Sequence, residues 1–368
     1  MPAHVLTSRE LNRATLARQF LLRRASVSAL AAIEAIGGLQ AQNVLSPYLG
    51  LWSRVEGFRF ADLTALMEER AVVKATLMRG TLHIVSREDF LHLAPAVKAM
   101  LLGVIRFNLP PPEELEPIIV RLLEHASEPR TGPQLRDYAA GLPEAAGLDL
   151  PGLFWHARAH GPLLQVPPSG TWGHSGAQHF VHSRAWLDRE VHTVEVGMER
   201  LLRRYLAAFG PATVADIRCW TGLNASAFKV ALEALEPEVE RYLDERGRTL
   251  LDLRGSPLPP GETPAPVRLL PMWDSLLLGH DDRSRVLPDS LRKIVIHKNG
   301  DVQRTFLVDG VVAGEWRLDL TAKSATVVLQ AYGALSNRVQ EELAAEAESL
   351  LTVPELHRTR SAVKFERF

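Results

Sequence analysis

The sequence predicts an α+β chain, in which helical segments end in short β-hairpins and a mostly β part follows. Apolar residues recur with helical spacing over roughly the first two thirds of the chain, and glycines separate these segments from short β-branched runs. After a proline-rich stretch at residues 255–266, the apolar period changes from that of a helix to that of a strand. Helices followed by a β-hairpin form a winged-helix unit. We therefore predict tandem winged-helix segments packed with a C-terminal β-rich domain.

Composition narrows the class of protein. The 368-residue chain is 46% hydrophobic and 23% charged, as is ordinary for a globular protein of two to three domains. Its net charge of −1 excludes a uniformly basic protein but permits a local basic face. Cys219 is the single cysteine, so no intramolecular disulfide can form. Arginines interrupt residues 1–30 and no long apolar run occurs, so we expect a cytoplasmic protein without membrane attachment.

The first winged-helix segment is predicted at residues 1–110. Its expected elements are a helix after the capping box that starts at Thr7, a helix at residues 27–36, a third helix with Ser46 as N-cap and Pro47 as its first residue, a helix at residues 61–69, and strands at residues 72–77 and 81–85. The second helix stops at Gly37-Gly38, because consecutive glycines break helices.

Two further winged-helix segments are predicted at residues 111–190 and 191–256. The expected elements of the second segment are helices starting at Thr131 and Pro151, a strand at residues 163–166 and a turn-rich wing at residues 167–176. Those of the third are a helix capped at residues 213–216, a second helix from Asn224 to before Pro237, and a strand at residues 249–253. Helix, glycine turn, helix and strand form a helix-turn-helix pattern.

The C-terminal domain is predicted at residues 267–368, beyond the proline-rich stretch. Short strands are expected at residues 294–296, 305–308, 311–313 and 325–329, followed by a helix at residues 336–350. Asn299-Gly300 and Asp309-Gly310 are strong hairpin-turn signals between those strands.

The candidate catalytic residues are Gln40 and Gln42, in the loop that follows Gly37-Gly38. Residues at i and i+2 on an irregular segment point the same way, and each amide offers a donor and an acceptor that can orient a water molecule. Glutamine does not titrate, so this pair cannot remove the proton of that water. Chemistry at this loop must therefore need an oriented nucleophile more than a strong base.

Cations and aromatic residues on predicted hairpins and turns are the candidates for nucleic-acid contact, because such elements can enter a groove and reach phosphates. The residues that we expect to contact DNA are Arg54, Trp172, His174, Arg283, Arg285, His297, Lys298, Asn299 and Arg304. In the helix-turn-helix, the second helix carries Lys229 as its single cation. A helix that reads bases would present several Arg, Asn or Gln side chains, so this one is interpreted as scaffold.

Six motifs are spread over nearly the whole chain: Leu39-Gln40-Ala41-Gln42, Arg79-Gly80-Thr81-Leu82-His83, Leu269-Leu270-Pro271-Met272-Trp273-Asp274, Leu278-Gly279-His280, Val308-Asp309-Gly310 and Gly314-Glu315-Trp316-Arg317. In their joint occurrence the chain resembles the winged-helix DNA glycosylases of the AlkZ/YcaQ type. The resemblance implies tandem winged-helix units around a β-rich domain, a DNA-sized concave surface, and hydrolysis of the N-glycosidic bond of alkylated purines. Some members of that family unhook interstrand crosslinks.

The resemblance also implies the roles of two residues. The family's catalytic motif is Gln-x-Gln or Gln-x-Asp, and Gln40 and Gln42 match the first form. That branch is the one associated with self-resistance in actinomycetes that make DNA-alkylating antibiotics.

The expected function is therefore a monofunctional DNA glycosylase that acts on cationic or bulky alkylpurines in double-stranded DNA. We expect it to act as a monomer and without a cofactor. The alternative is a non-enzymatic winged-helix transcriptional regulator, which would bind unmodified DNA in a sequence-dependent manner, usually as a dimer.

Overall fold

The computed structural model describes residues 4–103, 109–160 and 163–367, and it confirms an α+β architecture. Its contacts divide the chain into two compact units. Unit A comprises Met1–Leu63, Arg203–Trp220 and Glu236–Phe368, and unit B comprises Thr64–Leu202 and Thr221–Leu235. Each unit combines segments that are distant in sequence. The four-part domain division remains a prediction.

Helices are distributed along the whole described chain. In chain order the α-helices are α1 (Ser8–Arg18), α2 (Ala29–Ala35), α3 (Leu45–Trp52), α4 (Phe60–Glu68), α5 (Arg87–Gly103), α6 (Pro112–His125), α7 (Gly132–Ala140), α8 (Leu150–His160), α9 (Ser183–Leu187), α10 (Val194–Phe209), α11 (Val214–Thr221), α12 (Lys229–Ala234), α13 (Ser275–Leu278), α14 (Arg292–Val295) and α15 (Asn337–Leu351). Single 3-10 turns lie at Met78–Gly80, Pro143–Ala145, Ala225–Phe228, Glu236–Glu238 and Asp289–Leu291.

Most strands are short. In chain order they are β1 (Val5–Leu6), β2 (Leu39–Gln40), β3 (Val72–Thr76), β4 (Leu82–Ser86), β5 (Arg130–Thr131), β6 (Leu163–Val166), β7 (His179–His182), β8 (Val239–Asp244), β9 (Thr249–Leu253), β10 (Arg268–Leu270), β11 (Thr305–Val308), β12 (Val311–Leu320), β13 (Ser324–Ala331) and β14 (Arg360–Arg367).

Unit A contains two sheets. The larger has the order β10-β11-β12-β13-β14, antiparallel from β10 to β13, with β14 added parallel to β13. The smaller has the order β1-β8-β9, in which β1 is parallel to β8 and β9 is antiparallel to it. An apolar core cluster that includes Leu16, Leu277 and Leu307 packs α1 and α13 against the larger sheet.

Unit B contains an antiparallel sheet with the order β4-β3-β6-β7-β5. Strands β3 and β4 form the predicted hairpin, with Val73 opposite Val85 and Arg79 at the turn between the strands. A separate core cluster, drawn from α6, α7, α8, β6 and β7, is centred on Ile119, Leu135 and Leu153. This cluster lies within the predicted second winged-helix segment.

Helix caps are among the confirmed predictions. The Thr7 hydroxyl accepts the Glu10 N–H at 3.2 Å, and the Glu10 carboxylate accepts the Thr7 N–H at 2.8 Å. Thr131 and Gln134 form the same reciprocal pair at the start of α7. Each box satisfies backbone donors that the first helical turn leaves unpaired.

Two local predictions are wrong. Residues 294–296 were expected to be a strand, but Arg292–Val295 is the helical turn α14. Helical spacing places Leu291 and Val295 in one apolar cluster, and this tertiary packing overrides the β-propensity of the branched residues. Ser46 is not the cap of α3, which begins at Leu45. Asn43 Oδ1 accepts the Leu45 N–H at 2.9 Å instead.

Candidate active site

The segment that carries the two glutamines lies in unit A between α2 and α3, with Gln40 at the end of the two-residue strand β2 and Gln42 in the loop that follows. Gly37 and Gly38 both have left-handed backbone, with φ of 79° and 89°. The Gly38 N–H reaches back to the Ile33 carbonyl at 2.9 Å and closes the end of α2. Positive φ at two consecutive residues is inexpensive for glycine alone, so this pair sets the direction of the loop.

The two glutamines differ in exposure. Gln40 is 6% exposed, Ala41 is fully buried, and Gln42 is exposed. The sequence predicted two amide heads side by side, whereas the structure holds one amide inside the protein and presents the other at its surface. A buried amide has fewer accessible conformers, so Gln40 suits an anchoring role and Gln42 an outward contact.

Tight packing within unit A fixes both sides of this loop. A Cβ at Gly37 would lie 3.4 Å from Ala208 Cβ, so α10 closely approaches the loop backbone. On the other side, a Cβ at Gly50 in α3 would lie 3.2 Å from Leu39 Cδ2 and 3.8 Å from Pro271 Cγ. The loop is therefore packed against α10 on one side and α3 on the other, and α3 in turn contacts Pro271.

Arg54 lies in a buried polar network next to the glutamine loop. Its side chain is 1% exposed and forms a two-pronged ion pair with Asp274, at 2.9 Å and 2.7 Å. Arg54 Nη1 also donates to the Gly50 carbonyl at 3.1 Å. Gln19, whose Oε1 accepts from Arg54 Nη2, donates to the Ile36 and Ala208 carbonyls. The predicted DNA contact of Arg54 is corrected, because its guanidinium is buried in this network.

The other predicted arginines are also drawn into unit A. Arg285 is 8% exposed and donates to the Pro211 carbonyl at 3.1 Å and to the Thr15 hydroxyl at 3.3 Å, so its predicted DNA contact is corrected in the same way. Arg283 and Arg304 are half-buried. Arg304 lies 5.8 Å from the Trp316 ring centroid.

An exposed turn at residues 297–301 in unit A presents His297, Lys298 and Asn299 to solvent. The His297 N–H donates to the Asp301 carbonyl at 2.9 Å, and Gly300 has φ of 89°. Trp273, itself with left-handed backbone, donates its indole N–H to the Gly300 carbonyl at 3.0 Å. A single β-bridge between Ile296 and Val302 closes this turn. The sequence had predicted a hairpin turn between two strands.

Trp172 and His174 lie in unit B, in the loop between β6 and β7. Both side chains are half-buried, and His174 Nε2 lies 3.3 Å from the Ala177 carbonyl. Gly170 and Gly173 in this loop both have φ of 83°. Strands β6 and β7 pair antiparallel on either side of this loop, as the predicted turn-rich wing requires.

Sequence reasoning missed a buried cationic cluster in unit B. Lys74 in β3 is 3% exposed and lies opposite Gln165 of β6. Arg158 of α8 donates to the Thr76 hydroxyl at 2.7 Å. Burial and the nearby Arg158 guanidinium lower the pKa of Lys74 to about 8. A lysine inside the apolar run of β3 was the signal that could have shown it.

The described residues contain neither a cluster of metal ligands nor a membrane-spanning helix. Within residues 4–103, 109–160 and 163–367, no three histidine, cysteine or carboxylate side chains gather to hold a metal ion. Over the same ranges, no helix has the length and apolar character needed to cross a membrane.

Helices followed by β-hairpins define the class of this protein as winged-helix. The chain belongs to the AlkZ-like DNA glycosylase family, whose profile, described as DNA glycosylase AlkZ-like, matches residues 33–353. Among solved structures, the Streptomyces sahachiroi DNA glycosylase AlkZ has the same fold, with a TM-score of 0.81 and 18% identity over 98% of this chain and 100% of that chain. No curated protein matches the sequence. The family identifies the chain as an enzyme, which decides against the regulator.

Proposed function

We propose that this protein is a monofunctional glycosylase that hydrolyses the N-glycosidic bond of cationic alkylpurines in double-stranded DNA. The observation that carries the proposal is the loop at Gln40 and Gln42, which lies within the family match and is held rigidly by its neighbours in unit A. Neither residue titrates, so the site suits a substrate that needs no strong base.

The leaving group explains how such a site can work. An N7-alkylguanine or N3-alkyladenine carries a positive charge on the base, so the base departs without protonation. The transition state then resembles an oxocarbenium ion, as in sugar hydrolysis. Water that attacks such a cation gains most from orientation, which contributes about 7–11 kcal/mol in favourable systems. An undamaged purine leaves poorly at the same site, which gives selectivity for cationic lesions.

The side-chain amides of Gln40 and Gln42 have different roles in the proposed mechanism. Exposed Gln42 holds the attacking water, and its amide oxygen faces the positive charge that develops on the sugar. Buried Gln40 fixes the backbone and orients the water from the protein side. Water as the nucleophile yields an intact abasic site, since no lysine amine is assigned to attack the sugar.

DNA contacts are proposed at the exposed parts of the structure. Lys298, Asn299 and His297 lie on the turn that Trp273 braces, and a cation on such a turn can reach phosphates. Trp172 and His174 offer a second set of side chains in unit B.

The test is release of 7-methylguanine from a duplex oligonucleotide under single-turnover conditions. Gln40→Ala and Gln42→Ala are expected to lower the rate about 10²–10³-fold each, the loss seen when one oriented polar group is removed from a transition state. Gln340→Ala, a glutamine of α15, is the matched control and should retain the wild-type rate. Gln42→Asp supplies the other form of the motif and should keep activity.

Full activity in the double Gln40→Ala/Gln42→Ala variant would exclude the proposed mechanism. Trapping of a covalent enzyme–DNA product with borohydride would show an amine nucleophile, and the monofunctional assignment would then fail. A duplex that carries a nitrogen-mustard interstrand crosslink, assayed beside the monoadduct, tests whether crosslinks are unhooked. The adduct that is released fastest distinguishes a role in general DNA repair from one in self-resistance to an alkylating natural product.

A further inference from the structure

A cavity of about 530 Å³ lies in unit B, remote in sequence from the glutamine loop. Helices α5, α8 and the start of α10 form most of its wall. Its apolar lining includes Leu101, Leu102, Ala159, Met198 and Leu223. This volume falls in the range of sites that bury a drug-sized organic ligand.

Two exposed valines border the cavity. Val191 is 38% exposed and Val194 is 50% exposed, although both are large apolar residues. Next to them, the His192 ring packs against the His92 ring, with centroids 4.0 Å apart and the ring planes tilted by 33°. An apolar rim that remains open to solvent gains free energy when an apolar ligand covers it.

The charged side chains that line the cavity are all cationic. Lys98 and Arg158 line it, together with His192 and two threonines, and none of the described residues that line it is Asp or Glu. Arg158 is fixed by its hydrogen bond to Thr76 and lies 5.6 Å from the Phe180 ring centroid. A guanidinium held in this way has donors aimed for a carboxylate or sulfonate.

The positive charge at this end of the cavity is uncompensated within the described residues. Arg158 Nε is buried without a hydrogen-bond partner there, and no carboxylate acts on the pKa of Arg158 or of the neighbouring Lys74, which does not itself line the cavity. Buried like charges without a counter-ion are costly, so an anion that supplied one would bind favourably.

We propose that this cavity binds a small amphipathic organic anion, with its apolar body between α5 and α10 and its carboxylate, sulfonate or phosphate at Arg158. The site goes beyond glycosylase activity, since it uses none of the residues assigned to the reaction. The acidic group pairs with the guanidinium, and the body covers the Val191 and Val194 rim.

The probe is 8-anilinonaphthalene-1-sulfonate, and its uncharged analogue N-phenyl-1-naphthylamine serves as the comparison. Fluorescence titration of the full-length protein should show saturable binding, tighter for the sulfonate. Arg158→Gln should weaken sulfonate binding about tenfold, as expected for loss of a charge-assisted hydrogen bond, and should change binding of the neutral dye less than about twofold. Arg184→Gln, at a side chain 70% exposed in unit B, removes the same charge and should change neither.

A second pair of variants keeps the test decisive if Arg158→Gln fails to fold. Lys98→Gln, at a half-buried position, should weaken the sulfonate dye alone, and Ala99→Trp at the exposed edge should weaken both dyes. Equal affinity for the two dyes, or equal loss of both in the charge variants with an unchanged melting temperature, would overturn the proposal. Displacement of the sulfonate dye by an unmodified duplex would also overturn it, because the occupant would then be DNA.

Discussion

At the scale of single residues, burial decides the role of a charged side chain. Lys74 and Arg54 are both almost fully buried, yet Arg54 has Asp274 as its partner and Lys74 has no carboxylate among the described residues. Arg54 therefore stabilises unit A, whereas Lys74 lies beside a second cation and its charged form is disfavoured.

Replacing Lys74 should stabilise the protein near neutral pH. Burial and Arg158 lower the pKa of Lys74 from 10.5 to about 8, so the unfolded chain binds a proton more tightly than the native one. The cost, about 3 kcal/mol, is full below pH 8 and disappears as pH rises to 10.5. We expect Lys74→Met to raise the free energy of unfolding by about 2–3 kcal/mol at pH 7 and far less at pH 10, measured by urea denaturation.

Lys229→Met is the control, since that side chain is 76% exposed and its loss should change stability by less than about 0.5 kcal/mol. Destabilisation by Lys74→Met at pH 7 would mean that the ammonium has a counter-charge in the native protein.

At the scale of elements, the glutamine loop depends on its connection to two distant segments. Ser53, the C-cap of α3, donates to the Leu269 carbonyl at 2.7 Å, and Arg54 pairs with Asp274 at the N-cap of α13. These contacts attach α3 to β10 and α13, more than two hundred residues later. No local sequence pattern predicts these contacts, because nothing in the sequence around one partner indicates the other.

Breaking the Arg54–Asp274 pair should destabilise unit A. Arg54→Met leaves the Asp274 carboxylate buried without its partner, a change that costs about 3–5 kcal/mol. Chemical denaturation is the measurement, and Arg59→Met, at a side chain 69% exposed, is the control. The double variant Arg54→Met/Asp274→Leu should recover part of the loss, because no uncompensated charge remains.

A different outcome would restore the original interpretation of Arg54. If Arg54→Met unfolds like the wild type but binds duplex DNA more weakly, Arg54 contacts DNA and the buried pair is not the state that binds.

At the scale of the whole molecule, each unit contains a buried neutral histidine. His83 in unit B and His280 in unit A are 2% and 1% exposed, and burial lowers the pKa of each to about 3. His83 Nδ1 lies 3.0 Å from the Thr81 carbonyl, and His280 Nε2 lies 2.9 Å from the Phe209 carbonyl. Low pH is therefore expected to destabilise both units.

Stability should fall steeply below about pH 6.5. The unfolded histidines bind protons there and the native ones do not, so each contributes a loss of about 3 kcal/mol by pH 4. His83→Asn and His280→Gln keep a donor near the original ring nitrogen and should each reduce the difference in unfolding free energy between pH 7 and pH 4. His357→Gln at the surface should not. An unchanged pH dependence in both variants would show that other groups control acid unfolding.

The sequence by itself determined the local elements and the chemistry available to them. Capping boxes, glycine pairs and alternating strands act through neighbours in the chain, so α1, α7, the hairpin of β3 and β4, and the central strands β11 to β13 were predictable, whereas β10 and β14 were not predicted. The amides of Gln40 and Gln42 limit the loop to chemistry without a titrating base wherever they lie.

Only the tertiary structure decided which side chains are buried. Lys298 and Arg285 were equivalent cations in sequence, but one is exposed on a turn and the other is enclosed in unit A. The same applies to the two glutamines, since Gln40 is buried and Gln42 is exposed. Burial arises from segments far apart in the chain, and desolvation then decides whether a charge binds a ligand or stabilises the fold.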